Sequence, residues 1–177
     1  MIAMNLDLVP LGWMHSLACL VALAAGAFIF ATPKGTSRHR QLGRAYLASM
    51  LVLNLTALGI YQLGVFFFPH VLAVVTLVLM AAGWGAARMI RRHVAWKHVH
   101  LSCMILTYYM LIGGGVNEVY LRIDALKVIL NQEGPGLIAM THRIVMLVFV
   151  ILLLGWNASE IGKLAMRKRQ RASIPGS

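Results

Sequence analysis

The chain has 177 residues, 60% of them hydrophobic and only 12% charged, with a mean hydropathy of +0.78. That composition excludes an ordinary soluble domain and leaves an integral membrane protein. A net charge of +11 would suit a nucleic-acid binder, but its placement follows membrane loops instead, so no nucleic-acid partner is expected.

Five apolar stretches, at about 8–31, 45–68, 71–87, 101–121 and 137–156, contain or approach the roughly 17–25 residues that cross a hydrocarbon core. They predict an all-α integral membrane protein, a five-helix transmembrane bundle forming one domain over 1–165 with a basic tail at 166–177. The first stretch is not a cleavable signal peptide. No basic region precedes it, it is too long, and Pro33-Lys34-Gly35 follows it.

In the first span His15 shares a face with Ala18, Cys19, Ala22 and Gly26, small residues that admit a second helix or a flat cofactor close to the backbone. The first loop carries Lys34, Arg38, Arg40 and Arg44, and Thr36 or Ser37 is placed to cap the second helix. From His39 the face of that helix runs through Gly43, Tyr46, Met50 and Asn54. Phe66-Phe67-Phe68-Pro69-His70 reads as a tight turn with aromatics suited to the membrane interface. His70 opens the third span, whose face continues through Ala73, Leu77, Ala81 and Trp84.

The next loop holds Arg88, Arg91, Arg92 and Lys97 together with His93, His98 and His100. His98 and His100 point to nearly opposite sides of a helix, so only one faces the core. His100 shares its face with Met104, Thr107, Leu111, Gly114 and Glu118 and is the preferred one, with His93 as a substitute two turns earlier. Between spans four and five, Ile123, Leu126, Ile129 and Leu130 recur at helical spacing. They predict a short amphipathic helix on the membrane surface, ended by Gly134-Pro135-Gly136. His142 and Arg143 stand in the fifth span, where an unpaired arginine costs a few kcal/mol. Glu118 or an acidic group of a cofactor is its expected partner. Beyond Lys163 the tail reads as frayed.

Thirteen of the sixteen basic residues fall in the first loop, the third loop and the tail, while Asp7, Glu118, Asp124 and Glu133 fall on the opposite side. The bias puts the N-terminus outside and the C-terminus in the cytoplasm. A faint repeat relates spans one and two to spans three and four: His15, Ala24-Ala25-Gly26 and His39 against His70, Ala81-Ala82-Gly83 and His93 to His100. Cys19 and Cys103 read as packing residues. No Met-x-x-Met run, phosphate loop, nucleophile elbow or zinc-protease helix is present.

Iron in a b-type haem takes imidazole nitrogens from both faces of the ring, so two helices must each present a histidine at a common depth. His15 with His70 meets that condition on the outer side, and His39 with His100 on the inner side. His98 is an alternative inner ligand and His142 an alternative outer one. Arg143 would neutralise outer propionates, and Arg40 or Arg44 inner ones. The leading expectation is electron transfer through one or two b-type haems, an oxidoreductase component passing electrons from a quinol or a redox partner. It would act alone, as a homo-oligomer, or within a larger membrane complex. Two readings compete: a non-catalytic subunit or scaffold whose polar residues only lock the helices, and a small proton-coupled transporter built on Glu118, His142 and Arg143.

Lys34-Gly35-Thr36, His39-Arg40, Gly43-Arg44 and Tyr46 resemble the hallmark of the predicted bacterial membrane-protein family catalogued as domain of unknown function 2306 (DUF2306). The segment His93, Trp96, His98 through Tyr108, Asn117-Glu118 and Arg122 is similar to the same family. The resemblance implies a multi-pass inner-membrane protein and brings no activity with it. The histidine layout is separately similar to two-haem transmembrane b-type cytochromes, in which alternate helices supply each pair. That likeness is one of arrangement, and His142 and the choice among inner histidines depart from it.

Overall fold

The computed structural model describes residues 9–60, 68–134 and 136–172. Among them stand six helices and no strand: α1 (Val9–Ala31), α2 (Ser37–Gly59), α3 (Phe68–Met89), α4 (Ala95–Arg122), α5 (Asp124–Glu133) and α6 (Gly136–Ala172). Five are long and apolar enough to cross a membrane: Pro10–Ala31, Ser37–Gly59, Pro69–Met89, Ala95–Tyr120 and Gly136–Ser159.

The helix ends are set by local chemistry. Past the end of α1, Lys34 Nζ donates to the carbonyls of Ile29, Phe30 and Thr32 at 2.5, 3.1 and 3.1 Å, satisfying acceptors the helix leaves open. Gly35 takes the left-handed backbone (φ 82) that turns the chain. Thr36 then caps α2, its Oγ1 accepting from the His39 N–H at 3.1 Å. The second helix therefore starts at Ser37, eight residues before the expected 45, because Arg38, Arg40 and Arg44 lower hydropathy without breaking a helix. The expected span to 68 also shortens, since α2 ends at Gly59. Phe66 and Phe67 of the expected aromatic turn lie outside the described residues; Pro69 and His70 belong to the first turn of α3. His93 Nδ1 accepts from the Ala95 N–H at 3.1 Å where α4 begins.

The chain divides into two compact units, Met1–Val119 and Tyr120–Ser177. In the first, α1 to α4 pack antiparallel around Ala18, Ala22 and Ala25 of α1, Tyr46, Met50 and Leu53 of α2, Met80 of α3 and Leu111 of α4. Small side chains face inward, whereas Trp13, Leu17, Leu20 and Phe28 of α1 are each more than 60% exposed. In water that arrangement would leave a large exposed apolar patch. In lipid, apolar side chains gain nothing by turning inward, and small residues let helices approach.

In the second unit, Asp124 and Lys127 pair at 2.9 Å in the first turn of α5, and Gly134 (φ 72) ends the helix. Tyr120 Oη and Thr141 Oγ1 meet at 3.0 Å, joining the end of α4 to α6. An open cleft of about 390 Å³ lies against Ile129, Leu137 and Met140. With 37 residues, α6 is about 55 Å long at 1.5 Å per residue. The tail expected to fray after Lys163 is thus helical as far as Ala172.

Candidate functional site

Four histidines stand on four consecutive helices of the first unit, and their positions alternate between its two ends. His15 is the seventh residue of α1 and His70 the third of α3; His39 is the third of α2 and His100 the sixth of α4. The helices run antiparallel, so His15 and His70 share one end, called here the first end, and His39 and His100 share the second.

At the first end, His15 Nδ1 lies 3.1 Å from Thr56 Oγ1, near the close of α2. The Thr56 hydroxyl also lies 2.8 Å from the Val52 carbonyl and 2.9 Å from that of Leu53. His70 is 1% exposed, among the most deeply buried side chains of the unit. Burial of an imidazole this complete is costly unless its polar atoms are engaged.

At the second end, His100 Nδ1 donates to the Gly83 carbonyl of α3 at 2.8 Å. His39 lies within electrostatic reach of His100, Lys34 and Arg40. Its Nδ1 is shielded from solvent and makes no hydrogen bond among the described residues, an arrangement rare enough to call for a ligand or partner. Partial desolvation of the Lys34 ammonium, folded back on the end of α1, lowers its pKa below the ordinary lysine value. Arg40 Nη1 donates to the Gly35 carbonyl at 2.8 Å, which folds its side chain over the loop.

Between the two ends the unit is filled. Tyr46 Oη meets Thr107 Oγ1 at 3.0 Å, and Tyr108 Oη donates to the Leu23 carbonyl at 3.1 Å. The Tyr108 ring packs against Phe30 and Tyr46, with centroids 5.3 and 6.3 Å away. A Cβ built on Gly26 would fall inside the Tyr108 ring. The small-residue stripe below His15 therefore receives an aromatic side chain from α4, which leaves no room there for a flat group.

The remaining candidates are placed elsewhere. His93 is exposed at the start of α4 and serves its cap, so it is no substitute for His100. His98 is half-buried on α4. His142, half-buried, and Arg143, exposed, belong to the second unit. Among the described residues no group of three or more His, Cys, Asp or Glu side chains is gathered to hold a metal ion. A porphyrin iron needs only two protein ligands. A buried imidazole and a half-buried one at the first end, and at the second a pair that includes an unbonded nitrogen, fit that donor set. Thr56 and Gly83, which touch His15 and His100, were not singled out as partners by sequence. A helical wheel places Thr56 only once the first two helices are paired.

Five long apolar helices, with small residues inside and large apolar ones outside, define a polytopic helical membrane protein. Residues 12–155 match the model of the family described as predicted membrane protein (DUF2306), and the chain belongs to that family. No curated protein and no solved structure matches it.

Proposed function

We propose that this protein is a transmembrane electron carrier that holds two b-type haems, one at each end of its first unit. The reading is carried by one observation: histidines from alternate helices reach the same end, and at the second end His39 and His100 approach within electrostatic reach. His15 and His70 would ligate one haem and His39 and His100 the other. Bound there, haem supplies one-electron chemistry at two depths of the bilayer.

The chain's own residues do the rest. The antiparallel packing of α1 to α4 fixes which histidines share a depth. Tyr46, Thr107, Tyr108 and Met50 fill the interior and keep water from crossing it. Arg40 at the second end supplies positive charge for propionates. By charge bias the first end faces the outside of a bacterial inner membrane, and the carrier draws electrons from a quinol or a soluble redox partner.

The test is a visible absorption spectrum of the purified protein, wild type beside His15→Ala and His39→Ala. Wild type is expected to be red, with a sharp band on reduction, and each variant to lose about one of two equal portions of it. A preparation that stays colourless after haem supplementation overturns the proposal and leaves polar residues that lock helices.

A further inference from the structure

Two of the four histidines are held from a neighbouring helix through the same ring atom. His15 Nδ1 meets Thr56 Oγ1 at 3.1 Å, and His100 Nδ1 meets the Gly83 carbonyl at 2.8 Å. From these contacts we infer that Thr56 and Gly83 are positioning residues that fix both imidazoles as the Nδ1–H tautomer, turning Nε2 toward the ligand at each end. The inference rests on the electron-carrier reading for the identity of that ligand, but not for the tautomer itself.

The argument at the second end is short. A backbone carbonyl only accepts, so the Gly83 bond requires a proton on His100 Nδ1. In the neutral ring the lone pair then lies on Nε2. Gly83 is suited to the task because it lets α4 come close. A Cβ at this position would overlap Met104 Cε and lie 3.0 Å from Cys103 Cβ. A larger residue would push apart the two helices that the His100 bond joins.

At the first end the acceptor is a hydroxyl, which could in principle donate. Its single proton is claimed by the backbone: Thr56 Oγ1 lies 2.8 Å from the Val52 carbonyl and 2.9 Å from that of Leu53. Neither carbonyl can donate in return, so the hydroxyl oxygen is left to accept from His15 Nδ1–H. A free neutral imidazole in water prefers its proton on Nε2, so both rings are held away from their resting state. A histidine that binds a metal donates its other N–H to an acceptor of this kind, which fixes ring orientation and raises the basicity of the ligating nitrogen. A carbonyl is a stronger acceptor than a hydroxyl already donating. His100 would therefore gain more imidazolate character than His15.

The experiment has two arms on the full chain. The first records ¹⁵N spectra of histidine-labelled, haem-free protein in lipid nanodiscs. His15 and His100 are both expected as Nδ1–H; Thr56→Val returns His15 alone to Nε2–H, and Thr56→Ser keeps the wild-type state. Either residue found as Nε2–H in the wild type, or a His15 unmoved by Thr56→Val, overturns the assignment. The second arm loads haem. Thr56→Val is expected to weaken one haem by about ten- to a hundred-fold and to raise its potential while the other haem holds its own. Equal effects on both overturn the positioning role. Haem uptake by Nε2–H rings sinks this inference alone, and Nδ1–H rings in a chain that takes up no haem sink the electron-carrier reading alone.

Discussion

Gly26 and Gly85 show how differently two glycines in membrane helices behave. A methyl group on Gly26 would enter the Tyr108 ring, which is backed by Phe30 and Tyr46 and tied by its hydroxyl to the Leu23 carbonyl. The ring has nowhere to go. Gly26→Ala is expected to destabilise the folded state by about 1–3 kcal/mol, the usual cost of overpacking. Gly85 meets nothing within 4 Å of its notional Cβ, so Gly85→Ala should be neutral, or stabilising by up to ~1 kcal/mol through helix propensity. Denaturant unfolding in mixed micelles checks the pair, and equal costs at the two sites would refute the packing argument. From sequence, the stripe of Ala18, Cys19, Ala22 and Gly26 was legible as a surface of close approach. What approaches was not. Tyr108 comes from 82 residues further along, and only the pairing of α1 with α4 brings it there.

Helix termini carry the chemistry that sequence displays best. The cap at Thr36 is written in Thr36-Ser37, and the stop after α5 in Gly134. Hydropathy alone still misplaced the start of α2, because three arginines among its first eight residues hide a helix that the Thr36 cap begins. It likewise suggested fraying beyond Lys163, where a run of good helix formers extends α6. α5 offers a test at this scale. Asp124 is held below its ordinary pKa of 3.8 by the hydrogen bond from Lys127 and by that ammonium's charge. A carboxylate with a depressed folded pKa stabilises above its unfolded value, and the contribution is lost as pH falls through the folded one. The first turn of α5 is therefore expected to keep its helical carbon chemical shifts at pH 5 and lose them progressively below 3.8. Lys127→Met should bring the Asp124 titration, followed by carboxyl NMR, back up to the ordinary value. A titration unmoved by that change would mean the pairing is not populated.

At the scale of the whole molecule, five spans and an odd number of crossings were fully legible, since a run of about twenty apolar residues has few other fates. Which histidines share an end was legible too, because antiparallel neighbours alternate direction. The partners that orient those rings were not, since no periodicity along one helix reports the register of the next. Orientation in the bilayer rests on charge alone. Lys34, Arg38, Arg40 and Arg44 flank the α1–α2 turn, and Arg88, Arg91, Arg92 and Lys97 the α3–α4 turn, whereas α5 lies among Glu118, Asp124 and Glu133. Moving one positive charge outward against the membrane potential costs about 2.3 kcal/mol per 100 mV, so eight such residues should hold both turns in the cytoplasm. Single cysteines introduced by Ser37→Cys and by Asn131→Cys, in a chain whose Cys19 and Cys103 are changed to alanine, read this directly. A membrane-impermeant maleimide is expected to label the Asn131 site in intact cells and the Ser37 site only after permeabilisation. The reverse pattern would invert the protein. It would put His39 and His100 at the outer face, so that an outside donor of the proposed carrier would meet that pair of histidines.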